Sequence, residues 1–371
     1  EEQIRSLIRA GADCFRLNFS HSDGPGMEPY IRRVRKASEA EGKYIPILAD
    51  IQGPKLRIGK LPEDGVELLD DSHFLITHRK VDGNFDQVHS PYERLSADLK
   101  TGHRVLLADG SIELTVESID GEDVHCRVIH GGMLTSNKGM NLPDTDVSAG
   151  TLTEKDRQDL DFIGKSDIDL VAVSFVRRAE DIKDARRYLG DARIPVLAKL
   201  ERPEALNQLN EILEEADGVM VARGDLGVEI EFERVPFVQK QILQRASVRG
   251  KWAIVATEML RSMVDHSRPT RAEVTDVANA VLDGADCVML SEETAMGKHP
   301  AVAVQAMIRI LKAADAADVN HRERFEADII SFAAGAAGAA VSAAERLGAK
   351  AIVVLAGSNV TALLLSKWRS R

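Results

Sequence analysis

The chain has 371 residues, 44% of them hydrophobic, and its 48 basic and 59 acidic side chains give a formal charge of −11. That length exceeds one typical domain and can bury a large core, so two or three domains are expected. The acidic balance repels a polynucleotide backbone and an anionic membrane surface, and no uncharged apolar run approaches the roughly 18 residues a membrane span needs, so neither nucleic-acid nor membrane partners are expected.

From Glu1 to Asp50 the pattern alternates between helix-like EEQIRSLIRAG, strand-like DCFRLNF, helix-like YIRRVRKASEAEG and strand-like YIPILADI. Between Pro54 and about Gly150 the grammar changes to short β-type segments separated by turn signals, and SIELTVES and DVHCRVI around Asp120-Gly121 read as a hairpin. This region is expected to be an all-β insertion. After Thr151 the apolar runs DLVAVSF, IPVLAKL, GVMVA, WAIVAT and DCVMLS alternate with amphipathic helices such as AEDIKDARRYLG and TRAEVTDVANAVLDGA. Near-continuous apolar strands alternating with helices argue for a parallel sheet covered on both faces. Seven such strands are countable, and because a helix opens the chain, an eighth strand before Glu1 is expected; the fold class is α/β, a (β/α)8 TIM barrel. Beyond about Asp318 a helix from Asp328 to Leu347, a strand AIVVLAG and a helix from Val360 to Trp368 read as a partial α/β domain, its small-residue segment FAAGAAGAAVSAAERLGA a closely packed helix rather than a membrane one. Cys14, Cys126 and Cys287 form an odd, widely spaced set without a CxxC, and no leader opens the chain. Free thiols and a cytoplasmic location are the expectation.

Polar side chains collect at the carboxyl ends of the strand-like runs, where a barrel of this type carries its chemistry. RLNFSHS gives Arg16, Asn18, Ser20 and His21; ADIQGPKLR gives Asp50, Lys55 and Arg57; AKLE gives Lys199 and Glu201; ARGDLG gives Arg223, Gly224 and Asp225; ATEML adds Thr257 and LSEETA adds Ser291, Glu292 and Glu293. Lys199 and Glu201 lie at i and i+2, so they share a strand face and project together. Alone, the pair reads equally as a strand-end salt bridge. Glu201 and Asp225 end adjacent strands, and two carboxylates that leave water positions open suit Mg²⁺, the alternative being a charged rim. Arg16, Arg57 and Lys199 around such an ion suit a phosphate, which arginine grips bidentately and lysine meets as a point charge; solvated surface is the other reading. GDLG after VMVA suggests backbone N–H groups opening a short helix, although a Gly-Asp pair by itself is only a turn.

FRLNFSHS, ADIQGPKLRIG, NKGMNLP, AKLERPEAL, VARGDLGVE and VATEML, followed by RPTRAEVTDVANAVLDGADCVMLSEETA, resemble the pyruvate kinase family in order over nearly the whole chain. The resemblance implies a catalytic barrel over 1–53 and 151–318, a β-rich lid over 54–150 and a partial C-terminal regulatory domain over 319–371. It implies transfer of the phosphoryl group of phosphoenolpyruvate to ADP, giving pyruvate and ATP through an enolate, as the last step of glycolysis, in a homo-oligomer that is a tetramer in the family. By resemblance Glu201 and Asp225 are ligands of a divalent metal, Mg²⁺ or Mn²⁺, that bridges phosphate and enolate oxygens, and Lys199 is the transition-state stabiliser. Arg16, Gly224, Asp225 and Thr257 match positions contacting the phosphate or carboxylate of phosphoenolpyruvate, with Arg16 and Thr257 taken together with Lys199 as catalytic. Arg57 and Lys138 match those reaching the nucleotide phosphates, Lys138 from the returning edge of the lid; Asp109 in LADGS either approaches the nucleotide or is a turn residue.

Asn18, Ser20 and Asp50 match monovalent-cation ligands of potassium-dependent members, whereas Ile51, Gln52 and Lys55 stand where those members carry Thr, Lys and Glu. Ile51 has no side-chain oxygen for K⁺. The combination resembles the potassium-independent branch, in which K⁺ is not required and the Lys55 ammonium substitutes for its charge. Glu258, Arg261 and Glu292 also differ from the usual ATQMLES and SGETA, and the usual CTIGP segment is missing. Two rival readings are a Mg²⁺-dependent aldolase or lyase working through an enolate on the same barrel, and an inactive partial chain acting only through oligomer contacts.

Overall fold

The computed structural model describes residues 1–317, 332–355 and 360–368. Helix α1 (Glu2–Ala10) buries Leu7 and Ile8 and stops at Gly11, whose φ of 114° is a geometry that glycine adopts without a Cβ penalty. Strand β1 (Phe15–Asn18), helix α2 (Gly24–Ala40) and strand β2 (Ile47–Asp50) complete the first βαβ step. Asp23 caps α2 by accepting the Gly26 N–H, and every residue of β2 is buried, as expected of an interior parallel strand.

The chain then leaves the parallel sheet. Strands β3 (Val66–Leu68), β4 (His73–Thr77) and β5 (Gln87–His89) are followed by the single turn α3 (Leu95–Asp98). After it come β6 (Arg104–Leu107), β7 (Ile112–Asp120), β8 (Asp123–His130), β9 (Gly132–Leu134) and β10 (Met140–Asn141). Six of these form one sheet in the order β10-β6-β7-β8-β4-β5, while β3 and β9 pair separately. In β7 Ile112, Leu114 and Val116 point inward between more exposed neighbours, the period of two that a one-sided sheet requires. The β7–β8 hairpin turns at Gly121, where φ is 59°. This unit has its own apolar core, including Phe74, Ile76, Val105, Leu107 and Val128.

Parallel grammar resumes with α4 (Glu154–Ile163), opened by a reciprocal capping box between Thr153 and Asp156. The steps are β11 (Leu170–Val173), α5 (Ala179–Leu189), β12 (Val196–Leu200), the short α6 (Pro203–Asn207) and α7 (Leu209–Glu215), and β13 (Gly218–Ala222). They continue with α8 (Arg223–Glu229), α9 (Val235–Val248), β14 (Trp252–Ala256), α10 (Arg271–Leu282), β15 (Cys287–Met289), α11 (Glu292–Ala295) and α12 (Pro300–Ala316). Seven parallel strands run in the order β1-β2-β11-β12-β13-β14-β15, a curved TIM-type sheet. Leu48, Ala172, Leu197, Met220 and Ile254 pack together on its inner face, whereas Ile47, Ala49, Val171, Val196 and Val219 pack in the cluster shared with the helices. Because every neighbouring pair is parallel, the carboxyl ends of all seven strands lie at one rim.

Beyond the barrel, α13 (Phe332–Leu347) and α14 (Val360–Lys367) are helical as expected. The strand expected in AIVVLAG is corrected: residues 351–355 form no strand, and Val353 and Leu355 are exposed. An extended segment with no neighbouring strand has nowhere to place its ladder hydrogen bonds. The rest of that segment, the expected start of the preceding helix at Asp328 and the boundary at 318 lie outside the described residues.

Candidate active site

Lys199, on β12, is almost fully buried at 9% exposure. Its Nζ lies 3.1 Å from Asp50 Oδ1 and 2.9 Å from Glu201 Oε1, and it donates to Ser174 Oγ at 2.6 Å. Asp50 is bound from its other oxygen by Arg16 Nε at 2.6 Å. Two cations and two carboxylates therefore form one connected, largely buried group at the carboxyl ends of β1, β2 and β12. Burial works against the charge on Asp50, yet Lys199 and Arg16 outweigh it and hold its carboxyl below the ordinary range. Burial likewise opposes the Lys199 charge, and Asp50 and Glu201 overcome it, so the ammonium stays protonated. Glu201 goes the other way. Burial raises its carboxyl, and the neighbouring Asp225 adds to the rise against the pull of Lys199.

The second oxygen of Glu201 accepts the Phe175 N–H at 2.8 Å. Phe175 has φ of 56°, and Thr257 and Glu258 have φ of 70° and 55°. For a β-branched residue such as Thr257 a left-handed backbone is strained, and strain of this kind persists where surrounding contacts over-determine it. Those contacts are present: Thr257 Oγ1 accepts the Gly224 N–H at 2.7 Å and donates to the Ala256 carbonyl, and Arg223 Nη2 donates to the Thr257 carbonyl at 2.8 Å. The opening of α8, which carries Gly224 and Asp225, is thus locked to the end of β14.

On the open side, Lys55 Nζ sits 3.1 Å from Asp225 Oδ1 and 3.8 Å from Asp109 Oδ1. It points toward Asp225 and not toward the group Asn18, Ser20 and Asp50. Asn18 spends its oxygen on the Ser20 N–H, capping a short helical turn, and Ile51 is fully buried. Arg57 donates to the Asn137 carbonyl and its backbone pairs with Gly139, which places Arg57 and Lys138 on neighbouring segments of the β-rich unit. Both are exposed, and among the described residues neither bonds to the Lys199 group.

The residues fit a hard divalent cation. Glu201 and Asp225 offer carboxylate oxygens from just beyond the ends of the adjacent strands β12 and β13, and their mutual repulsion, which helps raise Glu201, is what a cation between them would remove.

Residues 1–304 match the family described as pyruvate kinase, barrel domain. The chain belongs to the pyruvate kinase family. It is 45% identical to a pyruvate kinase of Mycobacterium intracellulare, over 99% of this chain and 78% of the relative, and 44% identical to one of Corynebacterium glutamicum over 99% and 77%. A crystal structure of a pyruvate kinase from Cryptosporidium parvum superposes with a TM-score of 0.93 at 35% identity, covering 99% of this chain and 78% of that one. As a pyruvate kinase the chain transfers the phosphoryl group of phosphoenolpyruvate to ADP in glycolysis, with the family's divalent-metal requirement; the aldolase reading and the inactive-chain reading are not favoured.

The sequence missed four contributors. Ser174 and Phe175 end a strand as ordinary VSF, yet one orients Lys199 and the other Glu201. Arg202, the last residue of KLER, and Glu229, the last of GDLGVE, carry no motif signal of their own, and both are buried. Their only sequence cue is proximity in the chain to Glu201 and Asp225.

Proposed function

We propose that Lys199, held between Asp50 and Glu201 with Asp225 beside them, neutralises the charge that develops as the phosphoryl group leaves phosphoenolpyruvate. That buried cation between two carboxylates carries the reading. Phosphoryl transfer calls for in-line positioning and charge neutralisation and for no protein nucleophile. A divalent ion, Mg²⁺ or Mn²⁺, held by Glu201 and Asp225 supplies Lewis-acid neutralisation of substrate oxygens when bound. Arg16 is braced by Asp50 so that its remaining guanidinium donors face the substrate phosphate. Gly224 and Thr257, locked together, shape the wall against the substrate carboxylate. Arg57 and Lys138 approach the ADP phosphates from the β-rich unit, and closure of that unit excludes water from the transfer.

K⁺ is not required in this reading. The Lys55 ammonium at 3.1 Å from Asp225 supplies a fixed positive charge on the nucleotide side, and the Asn18, Ser20 and Asp50 remnant is closed by capping and ion pairing. The proposed division is a barrel over 1–53 and 151–318, a lid over 54–150 and a C-terminal part over 319–371; two separate apolar cores support the first two. A homo-oligomer, tetrameric as in the family, and a cytoplasmic location complete the proposal, and three free thiols accord with a reducing compartment.

Mn²⁺ titration followed by electron paramagnetic resonance tests the metal assignment. Glu201→Gln should weaken Mn²⁺ binding at least about tenfold, as expected for loss of a charged ligand. Unchanged affinity would refute it.

A further inference from the structure

The returning edge of the β-rich unit is tied to the barrel by a buried polar network that the reaction chemistry does not use. Glu229 Oε1 accepts Arg202 Nη1 at 3.0 Å and Asn141 Nδ2 at 2.8 Å. Arg202 Nη2 donates to the Thr145 carbonyl and to Glu204 Oε1, each at 3.0 Å. Asn141, Thr145, Arg202 and Glu229 are all buried, with Glu229 at 3% exposure. One carboxylate oxygen thus takes a donor from each unit, while Glu229 Oε2 is buried with no partner among the described residues. A bare buried carboxylate oxygen costs stability, and replacing such a network with apolar groups is often neutral or better, so stability alone does not account for it.

Its position in the chain is more telling. Arg202 directly follows Glu201; Glu229 closes the short helix α8, one turn beyond Asp225; Asn141 lies on β10, three residues after Lys138. A second arginine, Arg177 after β11, donates to the Val147 and Ala149 carbonyls of the same returning segment. The β6–β7 turn lies close to α8 as well, since a Cβ built on Gly110 would sit 3.3 Å from Val228.

We propose that Asn141, Arg202 and Glu229 are positioning residues that set the seat of the β-rich unit on the barrel, and through it the stance of Arg57 and Lys138 over Glu201 and Asp225. The inference rests on the nucleotide-side reading of Arg57 and Lys138. A shift of the unit by about 1 Å stretches the Asn141 bond beyond hydrogen-bonding range and leaves Glu229 with Arg202 alone, so the seat is defined by one shared oxygen. Phosphoenolpyruvate, bound by barrel residues, depends on this seat far less than ADP does.

The test compares Asn141→Leu, which keeps the branching of asparagine without its donor, with Lys138→Ala and the double variant. KM and calorimetric Kd are measured for both substrates. Lys138→Ala raises both constants for ADP. Asn141→Leu raises them about tenfold and moves those for phosphoenolpyruvate less than about twofold. In the double variant the two effects fall well short of multiplying, because Asn141 acts through the placement of Lys138. Asn141→Ser, smaller than asparagine, gives the same split should leucine disturb the fold. If Lys138→Ala leaves ADP binding unchanged, the nucleotide-side reading fails and the inference with it. If Lys138→Ala weakens ADP binding while the Asn141 variants leave it intact, weaken both substrates equally, or multiply fully with Lys138→Ala, the coupling alone is overturned.

Discussion

Replacing Lys199 by methionine keeps the length of the side chain and removes its charge. In the native site this ammonium contacts Asp50, Glu201 and Ser174 at 3.1, 2.9 and 2.6 Å. Without it Asp50 retains Arg16, but Glu201 is left with the Phe175 N–H. Breaking a buried ion pair by deleting one partner costs about 3–5 kcal/mol, a large share of an ordinary domain's stability. Catalysis loses one preorganised electrostatic donor, about 10²–10³ in kcat or roughly 3–4 kcal/mol. The two losses separate experimentally. Urea unfolding reports the first; pyruvate formation in a coupled assay, normalised to folded protein, reports the second. Mn²⁺ affinity should hold or rise, because a cation next to the metal site has been removed while both carboxylates remain. A kcat within about threefold of the parent, or a loss of kcat matched by an equal loss of Mn²⁺ binding, would refute the role given to Lys199.

Activity with K⁺ as the monovalent ion should match that with tetramethylammonium to within about twofold, because Lys55 is covalently fixed near Asp225; strong activation by K⁺ would contradict the closed remnant at Asn18 and Asp50. Asp169, at the opposite end of the sheet, offers a stability test. Burial works against its charge, but Tyr44, Arg35 and the Ile47 N–H together hold its carboxyl below the ordinary range. A depressed carboxyl stabilises the fold above the unfolded-state range near pH ~3.9, and that contribution disappears as pH falls through the depressed value. Asp169→Asn should therefore cost about 1–3 kcal/mol at neutral pH and progressively less in acid, read as a flatter acid limb of the urea midpoint against pH; a constant penalty at every pH would contradict the assignment.

The strand-end chemistry was legible because a strand has a fixed period. Lys199 and Glu201 at i and i+2 had to share a face, and they do, 2.9 Å apart. Asp50 is 149 residues from Lys199, and only the β2-β11-β12 order of the sheet brings the two together, so local spacing was silent on that contact. The sequence suggests Lys55 as charge for the monovalent site, whereas its direction toward Asp225 depends on how the chain bends out of β2 into the β-rich unit. Arg202 and Glu229 are silent in the sequence for a different reason. A charged pair in KLER and GDLGVE looks like solvated helix ends until the β-rich unit packs on top and buries it. The failed strand at residues 351–355 shows the converse: an apolar run becomes a strand only when a partner offers its backbone.

Crystals grown with Mn²⁺ and oxalate, a planar dianion of enolate-like shape, test the central claim most directly. An anomalous peak within coordinating distance of Glu201 and Asp225, with the Lys199 ammonium directed at the same oxygens, is the outcome this account requires. A peak elsewhere, or none between those two carboxylates, contradicts it.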